Sequence, residues 1–465
     1  MFRRILVANR GEIAVRVIRA CREMGVETVA VYSTADAGAL HTQLATRAVC
    51  IGPPRPADSY LNPSALLTAA LESGCDAVHP GYGFLSENAD FAELCEKCGL
   101  CFIGPSADTI RRLGDKAAAR ALMQRSGVPV VPGSEGPVQA PEEALAVAAR
   151  IGYPVLLKAS AGGGGRGMRR VDRPEDLPAL FAAARSEAEA CFKNGELYVE
   201  KLILTPRHIE FQILADCHGH VIHLGERDCS IQRKNQKLIE ESPSRALDDA
   251  LREKMGAAAV AAASAAQYKN AGTVEFVLDK EGRFYFIEVN TRIQVEHPVT
   301  EFITGIDLVK EQLRLAAGLP LSLTQEQVSF RGHAIECRLN AEDPARGFLP
   351  VPGTVRFLHL PGGPGVRVDT ALFPGCELPP YYDSMAAKVI VHAPTRLEAI
   401  RRMRRALTEL VIDGFPTTAN LAHLILYHPD FVKGSYHTGF LDENLETLLQ
   451  WDCGHGHGAA EEDKE

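Results

Sequence analysis

The stretch Thr273–Glu301, TVEFVLDKEGRFYFIEVNTRIQVEHPVTE, leaves the chain few ways to fold. It reads as a β-hairpin with one arm at Thr273–Asp279, a turn at Lys280-Glu281-Gly282 and a return arm at Arg283–Asn290. Both arms are rich in Val, Phe, Tyr and Ile. Counting outward from the turn sets Glu275 about opposite Glu288, and Asn290 shares the face of Glu288. Two carboxylates facing each other at roughly 5 Å destabilise a sheet unless a cation lies between them. Oxygen donors of this kind suit Mg²⁺ or Mn²⁺, which usually hold a nucleotide phosphate as well. The alternative is an edge hairpin with a solvated acidic face. The cluster Arg292, Gln294, Glu296 and His297, directly after the hairpin, favours a built site.

Upstream, short apolar strands alternate with helices. Arg4–Ala8 is a strand. Gly11–Met24 is a helix with Ile13, Val17, Ala20, Cys21 and Met24 near one face, stopped by Gly25. Val29–Tyr32 and Asp76–His79 are further strands, and Asn62-Pro63 caps the helix Ser64–Glu72. This pattern implies a parallel α/β unit to about residue 115. The first strand–helix turn, Asn9-Arg10-Gly11-Glu12, lacks the G-x-G-x-x-G of a dinucleotide site.

A Pro/Gly-rich linker at 130–141 precedes a second α/β piece. There the strand Pro154–Lys158 runs into the loop 159–168, ASAGGGGRGM, and the strand Leu197–Leu202 closes the unit. Without Cβ atoms the loop's N–H groups can wrap an anion, and Lys158 and Arg166 add positive charge. It reads as a flap over polyphosphate rather than a Walker loop, the alternative being a turn with no ligand. Alternation at His208–Ile213 implies an antiparallel sheet with one wet face. Residues 227–237, RDCSIQRKNQK, read as a cationic loop between strands, either plain surface or opposite the metal. A last α+β portion at 330–447 carries a strand Gly332–Asn340, with Glu336 and Arg338 on one face. It ends in a strand Ala387–His392 and a basic amphipathic helix Arg396–Leu410.

The bulk numbers exclude several classes. At 465 residues the chain holds two to four domains. A net charge of −9 argues against a nucleic-acid surface. No apolar run reaches about 18 residues, and the start MFRRILVANRGEI lacks a secretory core, so neither a membrane span nor a leader is expected. The 12 Cys are then expected as reduced thiols in the cytoplasm. Cys95-x-x-Cys98-x-x-Cys101 lacks the second knuckle of a zinc site and reads as a helix end entering a buried strand. Cys217, His218, His220 and His223, around a Gly turn, are weighed the same way. Residues 449–465 read as a disordered tail.

These motifs resemble the biotin carboxylase component of biotin-dependent carboxylases, in the ATP-grasp superfamily. The matching stretches include ILVANRGEIAVRVIRA, HPGYGFLSEN, KASAGGGGRGM, PRHIEFQ, ERDCSIQR, FYFIEVNTRIQVEHPVTE, GHAIECR and PPYYDSM, and they span Met1 to about Leu448. The resemblance implies a mixed α/β and α+β fold in five pieces: an N-terminal parallel α/β domain at 1–115, a lid with the Gly-rich flap at 116–203, a metal and nucleotide portion at 204–330, a C-terminal portion at 331–448 and the tail. It implies ATP-dependent carboxylation of biotin N1′, on a biotin carboxyl carrier protein, using bicarbonate through carboxyphosphate.

The roles it implies are specific. Lys116, Lys158, Gly164 and Gly165 contact the ATP phosphates. Glu200, Lys201, Leu202 and Ile203 face adenine, with His208 nearby. Glu275, Glu288 and Asn290 hold Mg²⁺ or Mn²⁺. Lys237, Arg292 and the Val295 N–H hold bicarbonate, Glu296 is the general base, and Arg338 stabilises the biotin enolate. Carboxyltransferase subunits and a homodimer are the further partners it implies. With no Ala-Met-Lys-Met motif, the chain is expected to be a separate subunit or an excised domain. Three features depart from the family pattern: Asn235 in place of His, Ala161 in place of Gly, and one extra residue at the hairpin turn. Another ATP-grasp carboxylate–amine ligase would share the hairpin and flap but would not need HPGYGFLSEN or EHPVTE. A non-catalytic nucleotide-binding subunit would have a broken metal set.

Overall fold

The computed structural model describes residues 1–159, 168–192 and 194–453. The flap residues Gly164 and Gly165, with Ala161 and Arg166, lie outside them, as do 454–465. The helix Phe440–Cys453 runs into the stretch whose composition reads as a tail.

Three principal sheets organise the chain. The first is parallel, with strands in the order Arg47–Gly52, Glu27–Ser33, Arg4–Val7, Ala77–His79 and Cys101–Phe102. The helix Gly11–Glu23 buries Ile13, Val17, Ile18 and Cys21 against it, as its 3.6-residue spacing requires. Asn62 caps the helix Pro63–Glu72 by accepting the Ala65 N–H, with Pro63 in the first turn. The edge strand Arg47–Gly52 was not legible in the sequence, because its residues are largely exposed and show no buried alternation.

The second sheet is small and antiparallel: Met168–Val171, Val155–Ala159 and Leu197–Lys201. It has its own core of Leu157, Phe181, Leu197 and Val199, among others, under the helices Pro141–Ile151 and Leu177–Phe192.

The third sheet, of eight strands, is antiparallel throughout. Its order is Phe284–Asn290, Asn270–Leu278, Arg207–Ala215, Val221–Arg233, Gln236–Ser242, His333–Asn340, Met385–Ala393 and Val366–Thr370. Ile209, Phe211 and Ile213 face the helix Asp249–Ala265 in one core, together with Val274 and Phe276. Further along, Cys337, Val389 and Val391 face the helices Arg396–Glu409 and Phe440–Cys453 in another.

The opposite face of this sheet is charged, and it corrects two expectations. The face expected to be wet is dry where Glu210 and Gln212 lie, since both are fully buried. The helix His297–Thr304 packs across these central strands. Residues 227–233 belong to the strand Val221–Arg233; the connection is confined to Lys234 and Asn235, both at positive φ. Register shifts on this strand let charged side chains point inward at ion-pair partners, so a sequence that reads as loop folds as sheet.

Candidate active site

The charged sheet face floors a cavity of about 1380 Å³ to which all three sheets contribute. Its first wall is the hairpin. The register sets Glu275 against Glu288 and Thr273 against Asn290. Nearer the turn, however, Phe276 pairs with Phe286 and Leu278 with Phe284, so Ile287 is a bulge residue. The bulge is what brings Glu288 opposite Glu275. Burial and then the charge of Glu275 push the Glu288 carboxyl up. Lys116 Nζ stands 3.9 Å from Glu288. Two carboxylates beside an amide are hard oxygen donors, and the tension between Glu275 and Glu288 is what a divalent cation relieves, so the three residues fit Mg²⁺ or Mn²⁺.

Beside this pair a lysine gathers carboxylates. Lys237 Nζ donates to Glu210 Oε2 at 2.6 Å, Glu296 Oε1 at 2.7 Å and Glu275 Oε1 at 3.0 Å. Burial opposes its charge, but three carboxylates outweigh burial and keep the ammonium protonated. The donor groups His208–Glu210–Glu275 and Glu210–Cys229–Glu296 lie close enough to ligate a metal. Lys237 already neutralises both groups, and Arg227 donates to Glu210 Oε1 at 2.5 Å. His208 Nε2 lies 3.2 Å from Glu275 Oε2; burial disfavours its charge, yet Glu275 raises it to about 9.

Two arginines complete the floor. Arg292 donates from Nε to Glu87 Oε2 at 2.9 Å, from Nη1 to Gln294 Oε1 at 2.9 Å and from Nη2 to Asn290 Oδ1 at 3.1 Å. Arg338 donates from Nε to Glu240 Oε1 at 2.5 Å and from Nη2 to Glu296 Oε2 at 2.9 Å. Glu296 is fully buried between Lys237 and Arg338. Burial and Glu210 push its carboxyl up, while Lys237, Arg338 and Arg227 outweigh them and hold it below its ordinary value. It is therefore an anion able to accept a proton.

The remaining expected residues are placed as follows. Lys158, Lys201, Leu202 and Ile203 line the cavity. Lys158 pairs with Glu200, and Lys201 Nζ donates to the Gly152 and Tyr153 carbonyls. Val295 lines the cavity, and its carbonyl accepts from Lys388 Nζ at 2.8 Å. Asn235 lines it as well, at the turn between the strands Val221–Arg233 and Gln236–Ser242. Cys95, Cys98 and Cys101 form no metal cluster among the described residues.

Several site residues escaped sequence reading: Glu12, Tyr82, Glu87, Glu210, Arg227, Glu240 and Lys388. Tyr82 donates to Glu12, and Lys388 Nζ lies 3.1 Å from the same carboxylate. The signal open to the sequence was charge inside strands that alternate with buried apolar residues, as in Gln236–Ser242 and Met385–Ala393.

Comparison with known proteins agrees with this geometry. Residues 1–110 match the model "Biotin carboxylase, N-terminal domain", residues 115–324 "Carbamoyl-phosphate synthase L chain, ATP binding domain" and residues 336–443 "Biotin carboxylase C-terminal domain". The chain is 58% identical to a biotin carboxylase of Nostoc sp., covering 95% of this chain and 99% of that one. It is 57% identical to biotin carboxylase 1 of Bacillus subtilis, covering 95% and 98%. Among solved structures, the biotin carboxylase domain dimer of Hydrogenobacter thermophilus 2-oxoglutarate carboxylase, in complex with MgADP, ADP and bicarbonate, superposes with a TM-score of 0.90 at 52% identity. That match covers 96% of this chain and 99% of that one.

Proposed function

This chain belongs to the biotin carboxylase family and is an ATP-dependent carboxylase that uses bicarbonate and biotin, and we propose the following roles for its residues. The observation that carries them is one cavity lined by the Glu275–Glu288 pair, Lys237, Arg292 and Arg338, with Glu296 buried against its floor. Lys116, Lys158 and the flap with Gly164 and Gly165 hold the ATP phosphates. Glu200, Lys201, Leu202, Ile203 and His208 line the nucleoside end.

Glu275, Glu288 and Asn290 hold Mg²⁺ or Mn²⁺, which when bound neutralises charge on the phosphoryl group as it transfers. Lys237, Arg292 and the Val295 N–H orient bicarbonate. Glu296 accepts the bicarbonate proton, and a bicarbonate oxygen attacks the γ-phosphorus as the bond to ADP breaks. The bond between the carboxyl carbon and the phosphate oxygen of carboxyphosphate then breaks, the carbon bonds to biotin N1′, and the phosphate leaves carrying the N1′ proton. The charge that builds on the ureido oxygen when N1′ loses its proton faces Arg338.

The division we propose is 1–115, a lid at 116–203, a metal portion at 204–330 and a C-terminal portion at 331–448, the last two sharing the eight-stranded sheet. The partners are a biotin carboxyl carrier protein and carboxyltransferase subunits, and the assembly is a homodimer in the cytoplasm. Among the described residues no helix is long and apolar enough to cross a membrane.

Bicarbonate carrying labelled oxygen tests the chemistry. One labelled oxygen is expected in the phosphate released. Unlabelled phosphate, with ATP cleaved and biotin carboxylated, overturns the carboxyphosphate step.

A further inference from the structure

Beneath Arg338 the sheet carries a charge pattern that the proposed mechanism does not use. In the antiparallel register Glu240 lies directly opposite Glu336, and Arg338 directly opposite Lys388. Each pair is of like charge, an arrangement that disfavours a sheet unless neighbours compensate it. Most of the charges here find compensation. Arg338 takes Glu240 and Glu296. Lys388 takes Glu12, and Asp369 takes Arg367 at 2.7 Å. Glu336 has no ion pair or hydrogen bond among the described residues: both of its carboxyl oxygens, and Oε2 of Glu240 opposite, are buried without a partner. Glu240 and Glu336 both lie at zero exposure, where an uncompensated carboxylate is strongly disfavoured.

We propose that Glu240 and Glu336 share one proton beneath Arg338, and that Glu240, held in this way, is the positioning residue that aims the Arg338 guanidinium at the carboxyl acceptor. The inference rests on the role given to Arg338 above. A single proton supplies the missing donor between two opposed acceptors. It also removes a negative charge from behind Arg338. With Glu240, Glu296 and Glu336 all ionised, three carboxylates would crowd one guanidinium and blunt its pull on a developing oxyanion.

The surroundings are consistent with this. Glu336 is faced by Lys388 and Arg338, which favour its anion, by Glu240 and Glu296, which do not, and by the neutral phenol of Tyr82. Burial is the largest influence and pushes its carboxyl well above the ordinary range. Burial, ahead of the opposing charge of Arg338, also raises Glu240 to about 7. Glu240 holds Arg338 at Nε and Glu296 holds it at Nη2, so the two carboxylates fix one edge of the guanidinium from both ends.

Two measurements on the full chain test the two halves. The infrared spectrum near neutral pH should hold a protonated-carboxyl C=O stretch that Glu336→Gln removes; a spectrum unaltered in that region overturns the shared proton. If that variant does not fold, Glu240→Gln must still shift the same band, and an unshifted band is equally fatal. Glu240→Gln should raise the KM for free biotin about tenfold or more while the KM for ATP stays within about twofold, a split that a merely structural defect would not produce. An unchanged biotin KM, or equal rises in both, overturns the positioning role. If wild-type enzyme cleaves no ATP in response to bicarbonate, the functional reading fails instead, and the infrared result still decides the proton.

Discussion

Arg227 and Arg338 show how differently two buried arginines can serve one site. Arg227 is fully buried and spends four of its five N–H donors on the fold: on Glu210, Gln212, Thr273 and Thr300. Replacing it with Met leaves Glu210 Oε1 without its partner inside the sheet, with Lys237 still on Oε2. Breaking such a pair costs about 3–5 kcal/mol, so Arg227→Met should lower the unfolding free energy measured by urea titration by about that amount even with nucleotide absent. Arg338 keeps part of its surface in the cavity. Arg338→Gln should lower biotin-dependent turnover by about 100-fold, the scale of one lost oxyanion donor, while MgADP affinity measured by calorimetry stays within about threefold. Equal loss of both would remove its assigned role. Arg338 was legible in the sequence because Glu336-Cys337-Arg338 alternates charge with an apolar residue in a short strand. Arg227 was not, because its partners Thr273 and Thr300 are remote in sequence and nothing local separates a buried arginine from a loop arginine.

Among the elements, the hairpin was the easiest to read and the strand before it the hardest. The arms Asn270–Leu278 and Phe284–Asn290 alternate around a Gly-containing turn, the second with one break in phase at Ile287, and such local signals need no knowledge of the rest of the chain. The bulge at Ile287 left no trace in composition, yet it is what sets Glu288 against Glu275. The strand Gln236–Ser242 shows what a buried charge does for an element. Its Glu241 accepts from Arg396 Nε at 2.7 Å and Nη2 at 3.0 Å, from Tyr436, and lies 2.7 Å from His333 Nε2. Burial pushes this carboxyl up, but Arg396 and His333 outweigh it and hold it far below its ordinary value. A depressed folded value stabilises the protein above the unfolded carboxylate range near about 4.3, and that stability is lost as the pH falls. Wild type should therefore lose more thermal stability than Glu241→Gln as the pH falls from about 5 to about 2. Parallel losses in the two proteins would mean that acid acts elsewhere.

At the scale of the whole molecule, the site exists only where the units built on the three principal sheets meet. The lid packs its own cluster around Leu157 and Phe181, while the parallel unit shares a core with the large sheet through Ile5, Leu214, Ile293 and Leu313. Alternation and linkers made those units legible. What each lends to the cavity was not, because Glu87 meets Arg292 and Glu12 meets Lys388 across most of the chain. A nucleotide that touches the lid, the hairpin and the Lys237 cluster at once should bind the folded assembly and not the unfolded chain. Binding of that kind stabilises by about 2.7 kcal/mol at a ligand concentration of 100 Kd. MgADP should therefore raise the unfolding midpoint more than ADP with a chelator does. The difference belongs to Glu275 and Glu288, whose mutual repulsion the cation relieves. Glu288→Gln removes one charge and leaves Glu275 with Lys237, so the ADP increment should survive while the increment specific to magnesium shrinks toward zero. If that variant still gains as much from magnesium as wild type does, the ion is held elsewhere, and the assignment of the hairpin as its seat falls with it.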